Sequence, residues 1–91
     1  MAGPRFIADP AEATVAVALD GLIALYHRPS GATHILATPA PEILAALRQG
    51  PLGRDALLDL LSQRYALAGD APAAVDARLA ELEASGLVRR L

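Results

Sequence analysis

The chain has 91 residues, 54% of them hydrophobic, and a net charge of −2, which suits one small domain over residues 1–91 with a thin core of Leu, Ile and Val. All eight basic residues are arginine, set against ten acidic ones, and cysteine is absent. This excludes a general attraction to phosphate backbones, disulfides and thiolate metal sites. No apolar run approaches membrane-spanning length, and Met1-Ala-Gly-Pro-Arg5 leads into no signal-peptide hydrophobic region, so a cytoplasmic protein with no membrane partner is expected.

Taken in chain order, Arg5-Phe6-Ile7-Ala8 allows a short edge strand that Asp9-Pro10 breaks. Thr14–Leu19 carries β-branched residues at alternate positions and reads as a strand. Asp20-Gly21 is a type I′ turn signal, because both turn positions need positive φ. Leu22–His27 is the return strand, Arg28-Pro29-Ser30-Gly31 a second turn, and Ala32–Ala37 a third strand.

The turn lengths set the register. Leu19 faces Leu22, Val17 faces Ala24, and Val15 faces Tyr26. Across the second turn Tyr26 faces Thr33 and Ala24 faces Ile35. One sheet face then carries Val15, Val17, Leu22, Tyr26 and Ile35, and the other Ile23, Leu25, His34 and Leu36. Both faces are apolar, so one lies on the helices and the other needs a cover.

Three helices are expected next. The first runs from about Pro39 to Gln49, capped by Thr38, with its prolines in the first turn and Ile43, Leu44 and Leu47 as its buried stripe. Gly50-Pro51 stops it. The second spans about Arg54 to Tyr65, with Leu57, Leu58, Leu61 and Tyr65 along one face. Asp70 caps the third, about Pro72 to Ser85, whose stripe is Val75, Leu79 and Leu82. Gly86 ends it, and Leu87-Val88 folds back on the core. The core set is Val15, Val17, Leu25, Ile43, Leu44, Leu47, Leu57, Leu61, Val75, Leu79, Leu82 and Leu87. The fold class is α+β: a three-stranded antiparallel sheet followed by three helices, the layout of a winged helix-turn-helix.

Little in the chain points to chemistry. His27 and His34 fall on the same sheet face as partly exposed diagonal neighbours, and a metal site needs a third ligand, so no metal or other cofactor is expected. Ser30, Ser62 and Ser85 sit in a turn or near helix ends with no evident base and orienting acid beside them, and no enzyme activity is expected. Gly50-Pro-Leu-Gly53 lacks the lysine and glycine spacing of a phosphate-binding loop.

The order of a strand with Tyr26, a turn ending in Gly31, Thr33-His-Ile-Leu36 and Pro39–Leu47, followed by Leu57–Tyr65 and by Val75–Leu82 closing in Gly86-Leu87-Val88, resembles the PqqD-like peptide chaperones. These are also called precursor-peptide or RiPP recognition elements. Leu19-Asp-Gly-Leu-Ile-Ala-Leu-Tyr-His-Arg-Pro-Ser-Gly31 is especially similar to the PqqD-related subgroup found beside a kinase related to HPr kinase. The resemblance covers roughly residues 14–88. Where the family usually has Leu-Asn, this chain has Leu36-Ala37, and Thr38 is expected to serve as the cap.

The resemblance implies a winged helix-turn-helix fold and a job without chemistry, presenting a precursor peptide to a modifying enzyme, with the kinase system as a candidate. The peptide would add as a strand to Thr33, His34, Ile35, Leu36 and Ala37 and lie beside the third helix. At helical spacing Ala74, Ala77, Arg78 and Glu81 share the flank next to that helix's buried stripe. The small alanines leave room for peptide side chains, and Arg78 is placed to pair with a carboxylate. Strand addition satisfies unpaired edge groups without reading sequence, and pockets for alternate side chains supply specificity.

Two rival readings come from the fold and the apolar surface. A winged-helix regulator would read DNA with the third helix, but that helix sets one Arg against Asp76, Glu81 and Glu83, and the only basic cluster is Arg89-Arg90, so nucleic acid is not the expected partner. A homodimeric assembly module would bury the second sheet face.

Overall fold

A computed structural model describes residues 3–65 and 69–91 of the chain. The elements run β1 (Arg5–Ala8), a 3₁₀ turn (Ala11–Ala13), β2 (Thr14–Leu19), β3 (Leu22–His27), β4 (Ala32–Ala37), α1 (Ala40–Leu47), β5 (Leu52–Gly53), α2 (Arg54–Arg64), α3 (Ala71–Ala84) and β6 (Val88–Arg90). The expected three-stranded antiparallel sheet and three helices are present, and a second, smaller sheet joins them.

The main sheet has the order β2-β3-β4. Its register is the one the turns predict, with Leu19 opposite Leu22, Val17 opposite Ala24, Val15 opposite Tyr26, and then Tyr26 opposite Thr33 and Ala24 opposite Ile35. Asp20 and Gly21 both adopt positive φ, as a type I′ turn requires.

Register also decides which face is buried. Leu25 and Leu36 are buried and Ile23 packs against the core. Val15 and Val17, expected in the core, are 44% and 53% exposed. They belong to the opposite face, and the two apolar faces of this sheet look alike in the sequence.

The smaller sheet has the order β5-β1-β6, both pairings antiparallel. Arg5–Ala8 is therefore the middle strand of this sheet and not an edge strand. Phe6 is buried at its centre, and the Arg90 guanidinium lies 5.3 Å from its ring centroid, within cation–π range. Val88 of β6 is buried, so the Leu87-Val88 return onto the core is as expected.

The helices supply most of the core. Ile43, Leu57, Leu61 and Val75 are fully enclosed, with Leu44, Leu47, Leu79 and Leu82 around them. Helix α1 touches α2, α3, β1 and β4, which makes it the central helix.

Several local details differ from expectation. Thr38 does not cap α1 through a backbone N–H, because its hydroxyl donates to the Glu42 carboxylate instead. Tyr65 is exposed beyond the end of α2, where the chain turns extended, so it leaves the buried stripe of Leu57 and Leu61. Asp70 does cap α3, accepting from the Ala73 N–H at 3.4 Å. Gly86, at φ +82°, ends that helix, with the Leu87 N–H bonded to the Leu82 carbonyl.

Candidate functional site

The free edge of β4 can be worked out from the ladder. A two-residue hairpin is closed by a hydrogen-bonded pair, so Leu22, Ala24 and Tyr26 of β3 direct their backbone groups toward β2. The Arg28 N–H bonded to the Ala13 carbonyl at 2.8 Å continues the same parity. Ile23, Leu25 and His27 therefore bond β4 at Leu36, His34 and Ala32. What is left along the outer edge of β4 is the N–H and C=O of Thr33, Ile35 and Ala37, with no strand beside them among the described residues.

A cleft of about 450 Å³ lies next to that edge. Thr33, His34, Ile35, Leu36 and Ala37 form one side, and Arg78, Glu81, Leu82 and Ser85 of α3 the other, with Ala40 of α1 also lining it. Seven of the nine residues singled out in the sequence thus meet in one place. Ala74 and Ala77 do not line the cleft. The α3 residues that do are spaced Arg78, Glu81, Leu82, Ser85, a stripe lying one turn further along the helix.

Ala40, Leu82 and Ser85 are lining residues that sequence reasoning missed. Leu82 serves both as core and as lining. Ala40 is buried against the end of β4, a position that only the path of the chain from Ala37 to α1 determines.

The lining is mixed in character. Leu36, Leu82 and Ala40 are apolar. The Nε2 of His34 is buried without a hydrogen-bond partner. Arg78 is not free in this state, since its Nη1 donates to both carboxylate oxygens of Glu81 at 2.6 and 2.7 Å. An incoming anion at this point meets Glu81 already on Nη1 and competes with it for the guanidinium.

A second cluster corrects the reading of Ser30 and His27. His27 is buried, not partly exposed. Its Nε2 lies 2.8 Å from Asp9 Oδ2 and its Nδ1 2.8 Å from Ser30 Oγ. Ser30 therefore does have a base and an orienting acid beside it. The N–H groups that follow Ser30 are already engaged: Gly31 donates to the His27 carbonyl at 2.8 Å and Ala32 to Ser30 Oγ at 3.2 Å. None of the three side chains lines the cleft beside β4. The cluster anchors the β3–β4 turn to the segment after β1.

Three further arginines are paired with carboxylates. Arg54 binds Asp76 through Nε and Nη2 at 2.7 and 2.9 Å and Asp55 at 2.9 Å. This two-point contact draws the Asp76 carboxyl below its ordinary pKa and raises the guanidinium's. Arg90 binds Glu83 at 2.7 Å and Arg89 binds Asp9 at 3.2 Å. No helix among the described residues is long and apolar enough to cross a membrane.

No family model and no curated protein matches the chain. Among solved structures the chain is similar to TbiB1, determined in complex with the leader peptide of TbiA(beta). The match covers 91% of this chain and 94% of that one, with a TM-score of 0.59 and 20% identity. The two chains share a fold.

Proposed function

We propose that this chain is a non-catalytic peptide-binding protein of the PqqD-like, winged helix-turn-helix type, a single domain over residues 1–91. It captures the leader segment of a precursor peptide and delivers it to a modifying enzyme in the cytoplasm. The observation that carries this reading is the cleft of about 450 Å³ between the unpaired edge of β4 and α3. A strand entering there gains ladder hydrogen bonds from Thr33, Ile35 and Ala37, and its alternate side chains fall against Leu36, Leu82 and Ala40. The shared fold with a protein solved on a leader peptide supports the same reading.

The resemblance over Leu19–Gly31 suggests an HPr-kinase-related kinase system as the modifying partner. The DNA-binding alternative finds less support, because α3 sets its one cation, Arg78, against the carboxylates of Asp76, Glu81 and Glu83, a balance that repels a phosphate backbone.

The test is an NMR titration of isotope-labelled protein with precursor peptides encoded by neighbouring genes, using a DNA duplex as control. Shifts concentrated at residues 33–37 and at Arg78, Glu81, Leu82 and Ser85 with peptide alone are expected. Silence with every peptide, together with salt-sensitive shifts on DNA, would falsify the proposal.

A further inference from the structure

The outer face of the main sheet is uncovered. Its three rows are Val15–Tyr26–Thr33, Val17–Ala24–Ile35 and Leu19–Leu22–Ala37. None of these nine residues carries a charge. Six are large apolar side chains left about half exposed, with Val17 at 53% and Ile35 at 59%. Together they present on the order of 500 Å² of apolar surface, near the upper end of what a monomer shows.

We infer that a second copy of this chain covers the face, giving a two-fold dimer in which the two main sheets stack outer face to outer face. Area supports this occupant. Two such patches face to face bury on the order of 1,000 Å² of apolar surface, the area that a specific interface has to clear.

Chemistry supports it too. Transient hand-over surfaces are more polar, whereas an uncharged face fits a lasting contact between like copies. The relief is self-complementary, since the small Ala24 sits between the protruding Val17 and Ile35, and a two-fold axis can set a protrusion of each copy into the hollow of the other. Sheets stacked in this way are about 10 Å apart. The unpaired backbone groups of β4 point along the sheet plane, so stacking leaves both clefts accessible.

Sedimentation of the full chain over a wide concentration range tests this without any peptide. The expected mass is twice the chain's 9.4 kDa. Val17→Glu brings two carboxylates into one interface and should weaken the dimer by at least about tenfold, with the circular dichroism spectrum and peptide affinity unchanged. Val15→Lys, at the other end of the face, repeats the test should the first variant fold poorly. Ile35 is avoided because it also lines the cleft. A wild-type chain that stays at 9.4 kDa at all concentrations overturns the inference. So does a dimer that survives both variants, or a polydisperse assembly in place of a defined pair.

Discussion

Asp9 Oδ2 stands 2.8 Å from Nε2 of His27, a residue 18 positions further along the chain. Asp9 also receives Arg89 of β6 at 3.2 Å, and its carbonyl accepts from Arg48 Nε at 3.4 Å. One carboxylate thus joins the segment after β1 to both sheets. Asp9→Ala leaves the buried His27 ring without its partner and should cost about 1–3 kcal/mol. Asp9→Asn keeps an acceptor and should cost clearly less. Urea unfolding of both variants checks this, and equal losses would show that the hydrogen bond contributes nothing of its own.

The Arg54–Asp76 pair makes a pH prediction. Its carboxyl titrates lower in the folded chain than in the unfolded one, so the unfolded state binds the proton more readily. The stabilisation is then fully present above the unfolded carboxylate range, about pH 4, and is lost as pH falls through the depressed folded value. Arg54→Leu removes this component. The stability difference between wild type and variant should be flat from neutral pH to about pH 5 and shrink on further acidification. High salt should reduce it as well, since both side chains face solvent. Thermal melts across pH follow both effects, and a difference that grows toward acid would contradict the assignment.

Much of the main sheet was readable in the sequence because Asp20-Gly21 admits few alternatives: a two-residue turn sets every pairing from Leu19–Leu22 to Val15–Tyr26. Which face meets the helices was not readable, since Val15, Val17 and Ile35 are as apolar as Ile23, Leu25 and Leu36. The smaller sheet left little trace either. Its partners for β1 are a two-residue and a three-residue strand, too short to establish a period. The expected flank of α3 and the lining of the cleft share Arg78 and Glu81, but the lining runs a turn beyond Ala74 and Ala77, because only the packing of α1 against β4 and α3 determines where the cleft lies along the helix.

The face assignment gives a paired prediction on stability. Leu57 is fully enclosed, and Leu57→Ala should cost about 2–5 kcal/mol. Val17→Ala, on the uncovered face, should fall within about 0.5 kcal/mol of wild type when measured at concentrations too low for association. Similar losses in denaturant unfolding at the two positions would place Val17 in a core after all.

Strand addition is tested at Ile35. The backbone parity of the ladder directs its N–H to the free edge, so Ile35→Pro takes a donor from an incoming strand while sparing the β3–β4 bonds. The variant should keep its circular dichroism spectrum and lose peptide binding by at least about tenfold, the effect of one or two lost ladder contacts. A folded variant that binds normally would mean the peptide lies in the cleft without joining the sheet.

The last prediction concerns what the cleft selects. In the free chain Glu81 holds Arg78 through two short contacts across one turn of α3. Both groups reach solvent, so the pair is held weakly and can be exchanged. A peptide with an acidic side chain at this point competes with Glu81 for the guanidinium and meets its like charge, so the gain is reduced. Glu81→Gln removes the competitor and the like charge beside the newcomer. Affinity for an acidic leader peptide should then rise about three- to tenfold at low ionic strength, corresponding to about 0.7–1.4 kcal/mol, and the gain should fade as salt screens it. Replacing the peptide's acidic residue by its amide should abolish the gain. Titration calorimetry of the two proteins against the two peptides forms a double-mutant cycle, and a coupling near zero would show that Glu81 and the peptide's carboxylate do not compete at Arg78.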